Sequence, residues 1–226
     1  MKIIFFGTPD FAANNLKHLI KNNYDIVAVV TSPDTKSGRG KKIKPSAVKE
    51  VAKINSIPII QPEKLKSDIF ITRLKDLNAD LFIIAAFRML PEIVWKIPKK
   101  GSMNLHTSLL PNYRGAAPIN WVLINGEKET GVSTFFINNE IDSGEIIKQK
   151  RIQLTNNITA AQLYNTLIKE GNKLIIDSIN AIKNNSIFLI PQTNYNRLKA
   201  PKLKKELLKI NWGKSAFEIH NLVRGL

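Results

Sequence analysis

Asn104 and His106 stand two residues apart in the stretch from Gly101 to Pro118, GSMNLHTSLLPNYRGAAP. Ser102 to Thr107 reads as a short strand that runs into a loop with two prolines and a glycine. Alternate side chains of a strand share a face, so Asn104 and His106 point the same way and Leu105 points into the packing opposite. Further on, Asn139-Glu140-Ile141-Asp142-Ser143-Gly144 is a turn that carries a carboxylate. An amide donor, an imidazole and a carboxylate together suit acyl transfer. The amide and imidazole steady a developing oxyanion, and the carboxylate orients the histidine or moves protons. On spacing alone the same residues also fit buried polar groups with ordinary hydrogen bonds.

The elements around these residues alternate. Apolar runs predict strands at Lys2 to Phe6, Asp25 to Thr31, Ile57 to Ile60, Asp80 to Ala86 and Ser102 to Thr107. Between them, helical patterns run from Asp10 to Lys21, from a Ser46 cap to Asn55, from Ser67 to Leu77 and from Pro91 to Lys96. That alternation predicts an α/β fold, a Rossmann-like and mostly parallel sheet with helices on both faces. Ligands of such sheets sit outside the carboxyl ends of the strands, which is where Asn104 and His106 lie. Beyond them, Ala116 to Asn125 reads as a helix. Gly131 to Asn138 and Glu145 to Leu154 read as a hairpin joined by the Asp142 turn, and Thr159 to Asn184 as a long amphipathic helix. After Pro191 the pattern weakens. Asn194 to Lys214 is basic and polar and reads as a linker, followed by the opening of another element. The expected division is a catalytic domain over 1–190 and a basic linker with the start of a truncated region over 191–226.

Composition narrows the functional classes. A chain of 226 residues can bury a sizeable core. With no cysteine there is no disulfide, thiolate metal site or cysteine nucleophile, and the three histidines show no metal-ligand spacing. No signal peptide or membrane-length apolar run is read, so a soluble cytoplasmic protein is expected; a monomer is also expected. The formal net charge of +16 fits a polyanionic partner, nucleic acid first, although much of the lysine also reads as solvated surface.

The wording of the central stretch goes further. His106-Thr107-Ser108-Leu109-Leu110-Pro111-Asn112-Tyr113-Arg114-Gly115, with Asn104 two residues before the histidine, resembles the signature of the folate-dependent formyltransferases. Ile141-Asp142-Ser143-Gly144 resembles that family's Leu-Asp-Thr-Gly segment. Phe6-Gly7-Thr8-Pro9-Asp10-Phe11 and Ser37-Gly38-Arg39-Gly40-Lys41-Lys42 look like the branch that formylates methionyl-tRNA. The resemblance covers nearly the whole chain. It implies transfer of the formyl group of 10-formyltetrahydrofolate, with no metal, to the α-amine of methionine on initiator tRNA. Asn104, His106 and Asp142 would be catalytic, and Ser108, Leu109, Leu110 and Pro111 would line the folate pocket. Phe87, Arg88, Met89 and Leu90, after the fourth strand, form a second candidate wall for the pterin; ordinary loop packing is the alternative. Members of that branch usually continue into a small β-barrel that helps to hold tRNA, and this chain is expected to stop before it.

Other readings of these motifs are weaker. Gly38-Arg39-Gly40-Lys41-Lys42 is not a P-loop, because Thr35 and Lys42 occupy positions that require Gly and Ser or Thr. Ile43 stands where a dinucleotide fingerprint needs its third glycine. A Ser108-His106-Asp142 hydrolase lacks a nucleophile elbow. A same-fold enzyme acting on a nucleotide sugar or a glycinamide ribotide remains an alternative. For the ribotide, Gly7-Thr8-Pro9-Asp10 stands in place of a phosphate loop and Pro9 removes a donor. An inactive RNA-binding module is opposed by the intact Asn104, His106 and Asp142.

In the family the 38–42 loop enters the acceptor end of tRNA, so Arg39, Lys41, Lys42 and Lys44 are its expected phosphate contacts. Arg39→Ala should weaken formylation of charged tRNA and leave folate affinity nearly unchanged. Titrations of tRNA across a salt series, alongside folate titrations, check this. Weakened folate binding with intact tRNA formylation would put the loop on the folate side.

Overall fold

The computed structural model describes residues 1–37, 42–193 and 198–226. The apolar runs form β1 (Ile3–Gly7) and β2 (Ile26–Val30), with α1 (Asp10–Lys21) between them. A two-stranded ribbon follows, β3 (Thr35–Ser37) and β4 (Lys42–Lys44), then α2 (Ala47–Ile54), β5 (Ile59–Ile60), α3 (Asp68–Asp76), β6 (Leu81–Ala85), α4 (Glu92–Trp95) and β7 (Ser102–His106). The chain goes on through β8 (Arg114–Gly115), α5 (Pro118–Ile124), β9 (Glu129–Phe136), β10 (Ile146–Gln153) and α6 (Ala160–Lys183). It closes with β11 (Lys199–Ala200), a 3-10 turn at Lys205–Leu208, and α7 (Ala216–Gly225).

Seven strands form one sheet in the order β10-β9-β7-β6-β1-β2-β5. From β5 to β7 every pairing is parallel, and β9 and β10 are added antiparallel beyond β7. The central strands are buried on both faces. Ile3, Phe5, Leu81, Ile83, Met103 and Leu105 pack into one core with α1, α2 and α6. Ile4, Phe6, Phe82 and Ile84 pack into a second core with α3 and α4. Strand alternation thus sends Leu105 into the first core and turns Asn104 and His106 to the other side.

Local signals set the helix starts. The Ser46 hydroxyl accepts from Lys49 N at 3.0 Å to start α2, and Thr159 and Gln162 make a reciprocal capping box at α6. A cap contributes about 1 kcal/mol. Each fully buried Leu or Ile contributes roughly 1.5–3 kcal/mol. The face of α6 formed by Leu163, Leu167, Ile175, Ile179 and Ile182 is therefore the larger contribution.

Three details differ from the sequence expectation. β9 spans Glu129–Phe136 because its start pairs with the end of β10, Glu129 opposite Gln153, and its far end pairs with Met103. α5 spans Pro118–Ile124, shorter than the expected 116–125. The basic stretch 194–214 supplies β11, which pairs in parallel with β8, Lys199 opposite Arg114 and Ala200 opposite Gly115. Ala116 N and Ala117 N both donate to Ala200 O, at 2.7 and 3.1 Å. The Trp121 indole donates to Pro201 O at 2.7 Å. α7 packs on α5, with Asn120 Nδ2 donating to Gly225 O at 2.7 Å and the buried Arg224 donating from Nη2 to Leu123 O at 3.5 Å.

Gly115 allows the close approach of β8 and β11. Its φ is +125°, and a Cβ there would lie 2.5 Å from Ala200 O. Gly115→Ala should lower stability by roughly 1–3 kcal/mol, since backbone rather than a flexible side chain must give way. Urea unfolding measures this; an unchanged midpoint would show that the β8–β11 contact is dispensable.

Candidate functional site

The carboxyl ends of β1, β6 and β7 open onto one crevice, as the sheet order requires. A cavity of about 560 Å³ there is lined by Pro9 and Phe11 after β1, Phe87 after β6, and Asn104 and His106 of β7, together with Asp142. Asn104 sits opposite Ile84 on β6 and Phe135 on β9, and His106 sits opposite Ser133. The structure therefore brings the three polar residues together although Asp142 lies on a separate turn.

His106 is held by a backbone group. Its Nε2 lies 2.9 Å from Tyr113 O. A carbonyl oxygen only accepts, so Nε2 carries the hydrogen. Nδ1 of the neutral ring then has a free lone pair. It faces Asp142 Oδ2 at 3.7 Å, beyond direct hydrogen-bond reach, with the two side chains only 8% and 15% exposed. Asp142 Oδ2 accepts from Gly115 N at 2.9 Å. The carboxylate thus stands ready to stabilise positive charge on the ring, while Tyr113 sets the ring's tautomer. Asn104 Oδ1 is buried and has no hydrogen-bond partner among the described residues. An unpaired buried amide oxygen costs about 1–3 kcal/mol.

Ala86, Tyr113 and Asp142 have positive φ, at 46°, 61° and 49°, a region that side chains other than Gly rarely adopt. The Tyr113 phenol donates to Glu127 Oε1 at 2.5 Å and accepts from Asn125 Nδ2 at 3.1 Å, and Tyr113 N donates to Leu198 O at 2.6 Å. Burial, reinforced by Glu127, pushes the phenol pKa well above its usual value, so it stays a donor. At Gly144 a Cβ would lie 1.6 Å from Phe136 O, so the Asp142 turn can close onto β9 only with glycine there.

The expected folate residues divide. Phe87, Arg88, Met89 and Leu90 line a second cavity of about 300 Å³ that shares Asn104, Gly115 and Asp142 with the first. Arg88 is tied to the neighbouring loop, donating to Glu63 O at 3.1 Å and to Pro62 O. Among the described residues, Ser108, Leu109, Leu110 and Pro111 line neither cavity. Their segment packs on the hairpin instead. Ser108 O accepts from Ser133 Oγ at 2.6 Å, Leu110 N donates to Ser133 Oγ at 3.1 Å, and Leu110 packs against Phe135 and Ile146. Ser108 Oγ donates to Asn112 O at 2.7 Å rather than to His106, which removes it as a nucleophile. Of the expected tRNA contacts, Arg39 and Lys41 lie outside the described residues, as does the side chain of Lys42, and Lys44 is exposed. Sequence reasoning missed the roles of Tyr113 and Gly115, although both stand inside the quoted motif. It also missed Phe11 and Tyr164, whose rings pack 6.0 Å apart beside the larger cavity.

Residues 1–179 match the family described as Formyl transferase. The methionyl-tRNA formyltransferase of Flavobacterium johnsoniae is 51% identical over 227 residues, covering 100% of this chain and 72% of that protein. That of Bacteroides thetaiotaomicron is 44% identical over 230 residues, covering 100% and 71%. Among solved structures, the sugar 3N-formyl transferase WlaRD, crystallised with dTDP and 5-N-formyl-THF, aligns with a TM-score of 0.75 at 29% identity, over 100% of this chain and 78% of that one.

The Tyr113 contact predicts the neutral state of His106. In a ¹⁵N NMR spectrum taken where the ring is uncharged, Nε2 should be protonated and Nδ1 should show the shift of an unprotonated nitrogen. A protonated Nδ1 would mean that Asp142, not Tyr113, sets the tautomer.

Proposed function

The chain belongs to the formyl transferase family, beside the methionyl-tRNA formyltransferases, and on that premise we propose that it formylates the α-amine of methionine esterified to initiator tRNA, with 10-formyltetrahydrofolate as donor. The observation that carries this reading is the meeting of Asn104, His106 and Asp142 where two cavities adjoin. Ile84, Phe87, Leu90 and Ile137 give the smaller cavity apolar walls suited to a flat pterin. The larger cavity, on the His106 side, takes the aminoacyl end.

When bound, the folate supplies an electrophilic formyl carbon. Asn104 donates from its side-chain amide to the formyl oxygen as negative charge grows there. His106 Nδ1 takes a proton from the attacking nitrogen and returns it to the departing one. Asp142 steadies the charged ring in between. The aminoacyl-tRNA substrate supports a cytoplasmic location. The likeness to a structure crystallised with dTDP keeps a nucleotide sugar as the second reading, and the 51% identity to a methionyl-tRNA enzyme, against 29% to the sugar enzyme, favours tRNA.

Asn104→Ala and His106→Ala should each lower the turnover number by roughly 10²–10³ while folate binding persists. Asp142→Asn should also impair turnover, because a neutral amide cannot offset an imidazolium. Formyl-methionine release and folate titration measure the two effects. Near-normal turnover in the Asn104 and His106 variants would remove them from the chemistry.

A further inference from the structure

We propose that Gln192 is a positioning residue for Asp142, and that this side chain, beyond the 1–179 stretch matched by the family, completes the catalytic site. The inference rests on the formyl-transfer reading for its kinetic part only. Gln192 Nε2 donates to Asp142 O at 3.1 Å and to Gly144 O at 2.6 Å. Its Oε1 accepts from Arg114 Nε at 3.0 Å and from Arg114 Nη2 at 2.5 Å. The amide therefore uses both hydrogens and both lone pairs. Its orientation is fixed by chemistry: a flipped amide would set NH₂ against a guanidinium and oxygen against two carbonyls.

The partners give this arrangement its consequence. Asp142 has φ +49°, so its backbone needs holding. Its Oδ2 accepts from Gly115 N at 2.9 Å and faces His106 Nδ1 at 3.7 Å. Arg114 precedes Gly115 on β8, which pairs with β11. Gln192 thus bridges the two segments whose relative position sets the Asp142–Gly115 hydrogen bond. Without it, the Asp142–Gly115 hydrogen bond itself and local bonds of the turn, such as Ser143 Oγ to Asn138 Oδ1 at 2.8 Å, are left to hold the carboxylate. A misplacement near 1 Å at a reacting group costs on the order of 10² in rate.

Gln192→Glu separates the two halves of the bridge. It keeps an oxygen for Arg114 and loses both donors to the Asp142 turn. Turnover in Gln192→Glu and Gln192→Ala should fall about 10–100-fold, with the KM for formyl-folate little changed. In an Asp142→Asn background, Gln192→Ala should cause little further loss, because both substitutions disable the same group. The Gly115 amide proton should move upfield in both Gln192 variants, towards its position in Asp142→Asn. That shift is read on the resting protein, so it stands whether or not the wild type formylates tRNA. An inactive wild type would count against the formyl-transfer reading alone. Full turnover in Gln192→Glu, additive losses in the double variant, or an unmoved Gly115 amide would overturn the positioning role and leave Gln192 as an anchor for the tail.

Discussion

A backbone carbonyl can only accept a hydrogen bond, and the site depends on that constraint. Tyr113 O fixes the hydrogen of His106 on Nε2 and leaves Nδ1 as the basic nitrogen. Tyr113 can present its carbonyl there because its own backbone is held at positive φ. Its phenol is fastened to Glu127 and Asn125, and its amide to Leu198. The histidine is therefore oriented by a loop braced from beneath by α5 and from outside by the segment around β11. Asp142 is left to act through charge rather than as the ring's direct support.

The sheet makes this arrangement reachable. Parallel β1, β6 and β7 end on one edge, where their loops form the crevice. β9 runs antiparallel to β7 and ends beside Ser102 and Met103, so the turn into β10 starts at the amino end of β7 and brings Asp142 back to His106 and Gly115. Leu105 is buried on one face of the sheet, and Asn104 and His106 look the other way, because a strand can do nothing else. Asn104 then leaves a buried amide oxygen without a partner among the described residues, a local cost beside the cavity that this residue lines.

Hydrophobic runs were enough to place β1, β2, β6 and β7, the α6 helix and the hairpin, because each buries a face large enough to leave a periodic trace. The pairing of Asn104 with His106 followed from alternation, and the motif wording tied Asp142 to them. The β8–β11 contact left no such trace. Two-residue strands joined across 114 and 199 have no period, and the lysines around them read as solvated surface. Gln192 was hidden for the same reason: a lone amide in a weak stretch reveals nothing until its three partner residues are in place. Ser108 to Pro111 line neither of the two cavities at the site. Their wording belongs to the motif, and the segment is held to β9 and β10 by the Ser108 and Leu110 backbone and the Leu110 side chain.

The most direct measurement offers the protein 10-formyltetrahydrofolate with two acceptors in parallel, methionyl initiator tRNA and a dTDP-linked amino sugar, and follows the formylated product of each. Formyl-methionine should accumulate on the tRNA and the sugar should stay unmodified. Formylation of the sugar with none on the tRNA would contradict the assignment and move this site to the nucleotide-sugar enzymes.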